Sequence, residues 1–137
     1  MQYGCIGEKL SHSFSREIHK GLTDYIYELK ELTPDEVGAF LQKKDFKAIN
    51  VTIPYKKTVI PFLDELTPAA CKLGAVNTVT RRADGTLLGD NTDYFGFSYA
   101  LAAAGIVLQD KKVLILGTGG AAKTAIAKKA LSLIQPG

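Results

Sequence analysis

The chain has 137 residues, which is long enough for one hydrophobic core of ordinary size and short for two complete domains. Its composition, 46% hydrophobic and 23% charged, is that of a globular protein and excludes a disordered one. No apolar run approaches the roughly 20 residues that span a membrane. Glu8 and Lys9 also interrupt the first apolar run before a signal-peptide core could form, so we expect a cytoplasmic protein.

The formal net charge of +3 raises the possibility of a nucleic-acid partner, but the arrangement of the lysines argues against one. They are scattered in pairs without interleaved aromatic residues, namely Lys43-Lys44, Lys56-Lys57, Lys111-Lys112 and Lys128-Lys129. Cys5 and Cys71 lack metal-ligand spacing, and His12 and His19 form no metal pattern. We therefore expect no nucleic acid, no membrane and no metal, and a small-molecule ligand instead.

The first half of the chain alternates strand patterns with helix patterns. Strands are predicted at 2–7, 25–29 and 48–53, and helices at 15–22 and 33–44. Thr33 followed by Pro34 and Glu36 is a helix start, with Thr33 as N-cap and Glu36 as its capping-box partner. Pro54 ends the third strand because proline cannot donate to a β-ladder.

The second half continues this alternation and adds a hairpin. Thr67-Pro68 opens a helix that Gly74 can end, and Asp84-Gly85 is a strong turn signal between strands at 76–81 and 86–89. A helix at 94–104, a strand at 113–116 and a helix at 121–133 follow. These patterns predict an α/β three-layer sandwich with a mostly parallel or mixed sheet. We expect a first domain at residues 1–105 and the start of a second at 106–137.

The first polar motif, Ser11-His12-Ser13-Phe14-Ser15, follows the first strand, where α/β sheets place ligands. The hydroxyls of Ser13 and Ser15 alternate along the chain, so both can bind one carboxylate at the positive end of the helix that follows. The alternative is an N-cap with a turn, which serine forms routinely, and the local residues alone favour it.

The second motif, Asn50-Val51-Thr52-Ile53-Pro54-Tyr55-Lys56, surrounds the end of the third strand. Lys56 follows Pro54 by two residues, so a rigid turn would hold its ammonium group, as catalysis requires. The alternative is a surface lysine, which is how we interpret its neighbour Lys57.

Two further polar residues, Asn77 and Asp93, are candidates for ligand binding because of their positions at the ends of predicted elements. Asn77 begins an otherwise apolar strand, and its amide can both donate to and accept from a polyol. Asp93 ends Asn91-Thr92-Asp93 at the start of a helix. The alternatives are a satisfied structural asparagine and a helix-capping aspartate.

The last motif is the glycine loop Gly117-Thr118-Gly119-Gly120-Ala121-Ala122, which follows an apolar run and precedes a helix. It fits the pattern G-x-G-x-x-G/A, in which glycines let the backbone approach a pyrophosphate at a helix N-terminus. The residue that selects the ribose would lie ~20 residues further on, at or beyond Gly137. The motif therefore indicates a dinucleotide, and the sequence does not distinguish NADP from NAD.

In this order the motifs resemble the shikimate dehydrogenase family over essentially the whole chain. The resemblance implies that Lys56 and Asp93 are catalytic. It places substrate contacts on Ser13, Ser15, Thr52 and Asn77, and cofactor contacts on Gly117, Thr118, Gly119, Gly120 and Ala121. One departure is Arg16, where the family often has proline.

The same resemblance implies reversible reduction of 3-dehydroshikimate to shikimate with NADPH, a step of aromatic amino-acid biosynthesis. Its fold would be the family's substrate-binding domain followed by the first βα unit of a Rossmann-type domain. Because a dinucleotide site needs two mononucleotide halves, we expect little activity from these residues alone. Two alternatives stay open: quinate oxidation, and a shikimate-binding module without catalysis. We also expect either a homo-oligomer, formed by self-association through residues ~110–135, or disorder of these residues in solution, because an apolar strand edge without its own partners tends to recruit another chain.

Overall fold

The computed structural model describes residues 1–117 and 119–134, and for Gly120 and residues 130–134 it describes the backbone alone. Its strands are β1 (Tyr3–Gly7), β2 (Tyr27–Glu31), β3 (Ala48–Val51), β4 (Glu65–Leu66), β5 (Thr78–Arg81) and β6 (Leu87–Asp90). Its α-helices are α1 (Ser15–Leu22), α2 (Pro34–Lys43), α3 (Pro68–Leu73), α4 (Asp93–Ala103) and α5 (Gly120–Ile134), and a 3₁₀ helix spans Ile60–Phe62. Strands and helices alternate through most of the chain, as the sequence predicts.

The six strands form one mixed sheet in the order β2-β1-β3-β5-β6-β4. β1 pairs in parallel with β2 and β3, and β4 pairs in parallel with β6. β5 is antiparallel to both β3 and β6. The prediction of an α/β fold with a mixed sheet is confirmed. Because β5 reverses direction and β6 reverses it again, the carboxyl ends of β1, β3 and β6 lie at one edge of the sheet.

The two faces of the sheet are packed differently. On one face α2, α3 and the 3₁₀ helix cover the main core, which comprises Ile6, Leu32, Val37, Leu41, Phe46, Ile49, Val51, Tyr55, Val59, Ala70, Val76, Val79 and Leu87. The opposite face carries a smaller cluster of Cys5, Leu10 and Tyr27 beneath α1, where the His19 ring stacks on Tyr27 at 3.8 Å. Helices on both faces make the three layers.

Local signals position the helices as predicted. The Thr33 backbone N–H and hydroxyl both donate to Glu36 Oε2, at 2.7 and 2.9 Å, which closes the capping box. These two bonds, that of the backbone first, lower the pKa of the Glu36 carboxyl. The α3 helix begins with the Thr67 hydroxyl accepting from Ala70 N–H and ends at Gly74, whose φ of 58° suits glycine.

The structure differs from the sequence-based prediction at several strands. β2 begins at Tyr27 rather than at residue 25, β3 ends at Val51 rather than at residue 53, and β4 was not predicted. The predicted strand at 113–116 is wrong, since these residues adopt no regular strand. A strand needs a hydrogen-bonded neighbour, and none lies beside 113–116 in the described part of the chain.

Within residues 1–117 and 119–134, no helix combines the length and the apolar character needed to cross a bilayer.

One carboxylate connects β6 to the segment that leads into β4. Asp64 Oδ2 accepts from Leu87 N–H at 2.7 Å and from Lys44 Nζ at 3.1 Å. The Leu87 bond first, and then Lys44, hold the pKa of the Asp64 carboxyl below its ordinary value. A lowered folded-state pKa means that this stabilisation is present above the unfolded pKa, ~3.9, and is lost as the pH falls through the folded pKa.

We therefore expect Asp64→Asn to lower the free energy of unfolding at neutral pH, and the difference from the parent to shrink as the pH falls below ~3.9. Urea denaturation across a pH series measures this difference, with Asp45→Asn, a change at an exposed aspartate, as control. A difference that stays constant down to strongly acidic pH would contradict this account of Asp64.

Candidate functional site

An ion pair stands at the sheet edge where the carboxyl ends of β1, β3 and β6 meet. Lys56 Nζ lies 2.7 Å from Asp93 Oδ2, and the side chains of Lys56 and Asp93 are 25% and 28% exposed. Lys56 follows β3, while Asp93 follows β6 and is the first residue of α4. Partial exposure leaves the pair open to a ligand, and the sheet beneath it fixes its position.

The turn after β3 holds the lysine backbone on both sides. Tyr55 N–H donates to the Thr52 carbonyl at 2.9 Å, across a cis Ile53–Pro54 peptide, and the Lys56 carbonyl accepts from Val76 N–H at 2.7 Å. The buried Tyr55 ring anchors this turn to the core through its hydroxyl, which donates to the Leu32 carbonyl at 2.5 Å. The flexible part of Lys56 is thus its side chain alone.

Thr52 lies at the junction of this turn with β1. Its backbone N–H donates to the Ile6 carbonyl at 3.0 Å, and a Cβ placed on Gly7 would lie 2.7 Å from Thr52 Cγ2. Such a distance is below any ordinary contact, so glycine at position 7 allows the threonine to pack against the end of β1. This brings the predicted substrate residue Thr52 to the same sheet edge as the ion pair.

The Asp93 carboxylate is held from two sides. Oδ1 accepts from Asn77 Nδ2 at 2.9 Å, Oδ2 accepts from Lys56, and the Asp93 backbone N–H donates to Asn91 Oδ1 at 2.9 Å. The N-cap position of α4 belongs to Thr92, whose own side chain makes no capping bond. The alternative that Asp93 is a capping residue therefore does not hold, and its oxygens face the lysine and the asparagine.

Asn77 forms a bridge between β5 and the start of α4. Besides its bond to Asp93, Nδ2 donates to Thr92 Oγ1 at 3.0 Å, while Oδ1 accepts from the backbone N–H of Thr92 at 3.0 Å and from the Thr78 hydroxyl at 3.0 Å. These bonds are those expected of a structural asparagine, which is the alternative interpretation of Asn77. It also lies within one bond of the ion pair, as the predicted substrate role requires.

Asn91 was not singled out from the sequence. Its side chain is 4% exposed, donates from Nδ2 to the Ala75 carbonyl at 2.9 Å and accepts from Asp93 N–H. The short polar run 90–93 contains this residue, but nothing in the sequence distinguishes a buried asparagine from a turn asparagine. Asn91 positions Asp93 by holding the first turn of α4 against the loop that precedes β5.

The serine loop, residues 11–15, leads into α1, and the α1 side of the sheet is connected to the ion pair. Ser13 Oγ accepts from Ser15 N–H at 3.3 Å. The His19 ring of α1 stacks on Tyr27, whose hydroxyl donates to Asn50 Oδ1 at 2.6 Å. Asn50 Nδ2 in turn donates to the Asn77 carbonyl at 3.4 Å. These contacts connect the helix that follows the loop to the residue that binds Asp93.

Tyr27 and Asn50 are further residues that the sequence did not identify as functional. Burial, before any other cause, raises the pKa of the Tyr27 hydroxyl, so this group acts as a neutral donor. Burial likewise raises the pKa of the Cys5 thiol beside it. In the sheet, Asn50 lies between Cys5 and Thr78, at the point where this row of side chains changes from apolar to polar.

A cleft of about 450 Å³ separates the ion pair from the start of α5. Lys56 and Asp93 line one side, and Ala121 and Thr124, in the first turn of α5, line another. Gly117 has a φ of 121°, a conformation that favours glycine, and a Cβ on Gly119 would meet no atom within 4 Å. Thr118 lies outside the described residues.

The donor set of this cleft fits the phosphate end of a dinucleotide. A helix N-terminus presents backbone N–H groups and a positive field, and the open glycine loop lets a phosphate approach them. Lys57 lowers the pKa of the Lys123 ammonium, as expected of neighbouring like charges.

These features define an α/β ligand-binding domain with a lysine–carboxylate ion pair at its strand ends and a helix N-terminus across the cleft. The family model for the shikimate dehydrogenase substrate binding domain matches residues 5–79, more than half of the chain. The chain belongs to the shikimate dehydrogenase family.

Individual relatives agree with this assignment. The NADP⁺ shikimate dehydrogenase of Clostridium beijerinckii is 43% identical over 132 residues, which cover 90% of this chain and 48% of the relative. The crystal structure of shikimate dehydrogenase 1 from Peptoclostridium difficile superimposes with a TM-score of 0.90 at 38% identity, covering 96% of this chain and 52% of that one.

A Thermus thermophilus shikimate 5-dehydrogenase in complex with NADP(H) and shikimate superimposes with a TM-score of 0.85 at 32% identity, covering 96% of this chain and 52% of that one. The chain thus spans about half the length of the relatives that it matches.

We expect Asn91→Ala to destabilise the fold, because the buried Ala75 carbonyl loses its donor and the Asp93 N–H loses its acceptor. Each unsatisfied group should cost about 1–3 kcal/mol. Urea denaturation measures the loss, and Gln42→Ala, at an exposed amide on α2, should change stability by no more than about 0.5 kcal/mol. Equal stabilities of the two variants would show that Asn91 does not hold α4.

Proposed function

We propose that this chain is the substrate-binding and catalytic part of an NADP-dependent shikimate dehydrogenase, which interconverts 3-dehydroshikimate and shikimate. The observation that carries the proposal is the 2.7 Å contact of Lys56 with Asp93 at the strand ends, facing the N-terminus of α5 across one cleft. In this proposal residues 1–105 form the shikimate-binding domain and residues 106–137 begin the cofactor domain.

The substrate would lie between the ion pair and the serine loop. Ser13 and Ser15 would bind its carboxylate, and Thr52 and Asn77 would contact its ring. The hydrogen bonds from Tyr27 through Asn50 to Asn77 support this placement, because α1, which begins at Ser15, stacks its His19 ring on Tyr27. The Thermus thermophilus relative, whose structure contains shikimate, supports the choice of ligand.

The chemistry of the ion pair suits ketone reduction. Addition of hydride to a carbonyl carbon places negative charge on the carbonyl oxygen, which must then take up a proton. The Lys56 ammonium would stabilise that charge and donate a proton from Nζ, which leaves a neutral amine. In the oxidation direction the neutral amine would remove the proton from the substrate hydroxyl. Asp93 would hold Nζ toward this oxygen and accept a hydrogen bond from the same hydroxyl.

The glycine loop and the first turn of α5 would hold the cofactor phosphates, through Gly117, Thr118, Gly119, Gly120 and Ala121. The bound nicotinamide cofactor supplies the hydride. Relatives that use NADP favour NADP over NAD. α4 contacts α5 and leads out of the substrate domain, so its movement would open or close the cleft.

A shikimate-binding module without catalysis is the second candidate, and quinate is an alternative substrate for the same pocket. The absence of a regular strand at 113–116, within the described residues, favours the module, because a dinucleotide site is built on paired strands. The exposed Leu114 and Leu116 side chains of this segment support self-association through residues ~110–135. Separate titrations with shikimate and with NADPH distinguish the module from the enzyme.

For the substrate site, we expect Ser13→Ala and Ser15→Ala each to weaken the binding of shikimate to this chain about tenfold to a hundredfold. Each loses one hydrogen bond to a charged carboxylate, worth about 1.5–3 kcal/mol. Calorimetric titration gives the affinities. Ser98→Ala is the matched control, since the Ser98 hydroxyl donates to the Tyr94 carbonyl within α4. Parental affinity in both loop variants would place the carboxylate elsewhere.

For the chemical step, residues 1–116 joined to the cofactor domain of the Peptoclostridium difficile relative allow turnover to be measured. We expect Lys56→Met to lower kcat at least about a hundredfold while shikimate still binds, since general acid–base catalysis is lost. Lys57→Met is the control and should keep most of the activity. A Lys56→Met enzyme within about tenfold of the parent, a loss below about 1.4 kcal/mol, argues decisively against the assigned role.

A further inference from the structure

The Thr78 hydroxyl lies between two side-chain amides at the edge of the sheet that carries the ion pair. Thr78 is the first residue of β5, and in the sheet it pairs with Asn50 of β3. Its Oγ1 lies 3.3 Å from Asn50 Nδ2 and 3.0 Å from Asn77 Oδ1. Two hydrogen bonds, through the Asn77 amide, therefore connect Thr78 to Asp93.

Two groups around Asn77 can form hydrogen bonds in one direction only. The backbone N–H of Thr92 can only donate, so the Asn77 atom that lies 3.0 Å from it is the oxygen, Oδ1. The Asp93 carboxylate, which is paired with Lys56, can only accept, so the Asn77 atom that lies 2.9 Å from it is Nδ2. The Asn77 amide therefore has one orientation, in which its nitrogen faces the ion pair.

This orientation determines the direction of the hydrogen bonds further from the site. Because Asn77 presents its oxygen to Thr78, the Thr78 hydroxyl donates its single proton there. The Thr78 oxygen then accepts from Asn50 Nδ2, and Asn50 Oδ1 accepts from the Tyr27 hydroxyl at 2.6 Å. Every donor on this path, from the Tyr27 hydroxyl onward, thus points toward the Asp93 carboxylate.

Thr78 attaches the Asn77 amide to the sheet. The other hydrogen bonds of this amide within the described residues lead to Thr92 and Asp93, which are the N-cap and the first residue of α4. Thr78 belongs instead to β5, which is hydrogen-bonded to β3 on one side and to β6 on the other. The Thr78 hydroxyl therefore holds the amide in place independently of α4.

We propose that Thr78 is a positioning residue of the site, whose hydroxyl holds the Asn77 amide with Nδ2 toward the Asp93 carboxylate. Thr78 acts through Asn77 and not by contact with the ligand. Its effect on shikimate binding rests on the function proposed for this chain, whereas its effect on the Asn77 amide does not. Valine has the branched shape of threonine without the hydroxyl, so Thr78→Val removes the hydrogen bonds and keeps the packing.

Hydrogen exchange of the Asn77 side-chain amide, followed by NMR without any ligand, tests the positioning directly. The signals that disappear in Asn77→Asp identify this amide. Thr78→Val should speed the exchange of its protons about threefold to tenfold, the equivalent of one hydrogen bond. Thr78→Ser keeps the hydroxyl and should exchange at the parental rate. Thr80→Val, the same change at an exposed threonine of β5, is the control and should have no effect.

Calorimetric titration with shikimate tests the consequence for the site. Thr78→Val should weaken binding about threefold to tenfold, and Thr78→Ser should stay within about twofold of the parent. In an Asn77→Ala background, Thr78→Val should change the affinity less than about twofold, because a residue that acts through Asn77 then has nothing to position. Urea unfolding of each variant establishes that it is folded.

Several outcomes overturn the positioning role. Parental exchange of the Asn77 amide in Thr78→Val, an equal change in Thr80→Val, or a Thr78→Ser variant that exchanges like Thr78→Val would each do so. Parental shikimate affinity of Thr78→Val also overturns it, as does an undiminished loss in the Asn77→Ala background. A parent chain that binds no shikimate contradicts the proposed function instead, and the exchange rates alone then decide the role of Thr78.

Discussion

The ion pair between Lys56 and Asp93 can form only because β3 and β6 end at the same edge of the sheet. The hairpin of β5 and β6 produces this geometry: β5 runs against β3, and β6 runs against β5. Asn77 directly precedes β5 at this edge. The same hairpin therefore places both the Asp93 carboxylate and the Asn77 amide that donates to it. Each group is then fixed by short backbone bonds at its own strand end. The reactive geometry is a consequence of sheet topology more than of the loops that carry the residues.

The site lies next to the α1 side of the sheet, the face opposite the main core, where polar side chains are found. Ile49 and Val51 of β3 point into the main core, while Asn50 between them points to the α1 side. A buried polar row is tolerable only when its members bond to one another, and Tyr27, Asn50 and Thr78 do so. No buried side-chain nitrogen or oxygen in the described residues lacks a hydrogen-bond partner. A fully bonded row gives α1, whose His19 ring stacks on Tyr27, a rigid base.

Local chemistry explains what could be predicted from the sequence. The Thr33 capping box, the Gly74 helix end and the Asp84-Gly85 turn each depend on a few adjacent residues, and each forms as predicted. The site motifs stand at strand ends, where alternation could place them. Asn91 and Tyr27 could not be predicted, because their roles depend on partners 16 and 23 residues away in sequence. The two-residue strand β4 is shorter than any periodic pattern, and exists because Asp64 and Thr67 bond to β6.

Two segments, β2 and residues 113–116, have the sequence pattern of a strand that lacks a hydrogen-bonded neighbour on at least one side. Their side chains differ in character. β2 is a regular strand because β1 already supplies one ladder, and its exposed side chains Glu28 and Lys30 carry opposite charges. Residues 113–116 are apolar throughout and have no neighbouring strand in the described residues. Apolar strands of this kind need parallel neighbours and helices on both faces. β2 is therefore stable with one neighbouring strand, whereas the apolar segment would need further strands beside it, for which the relatives of about twice this length have room.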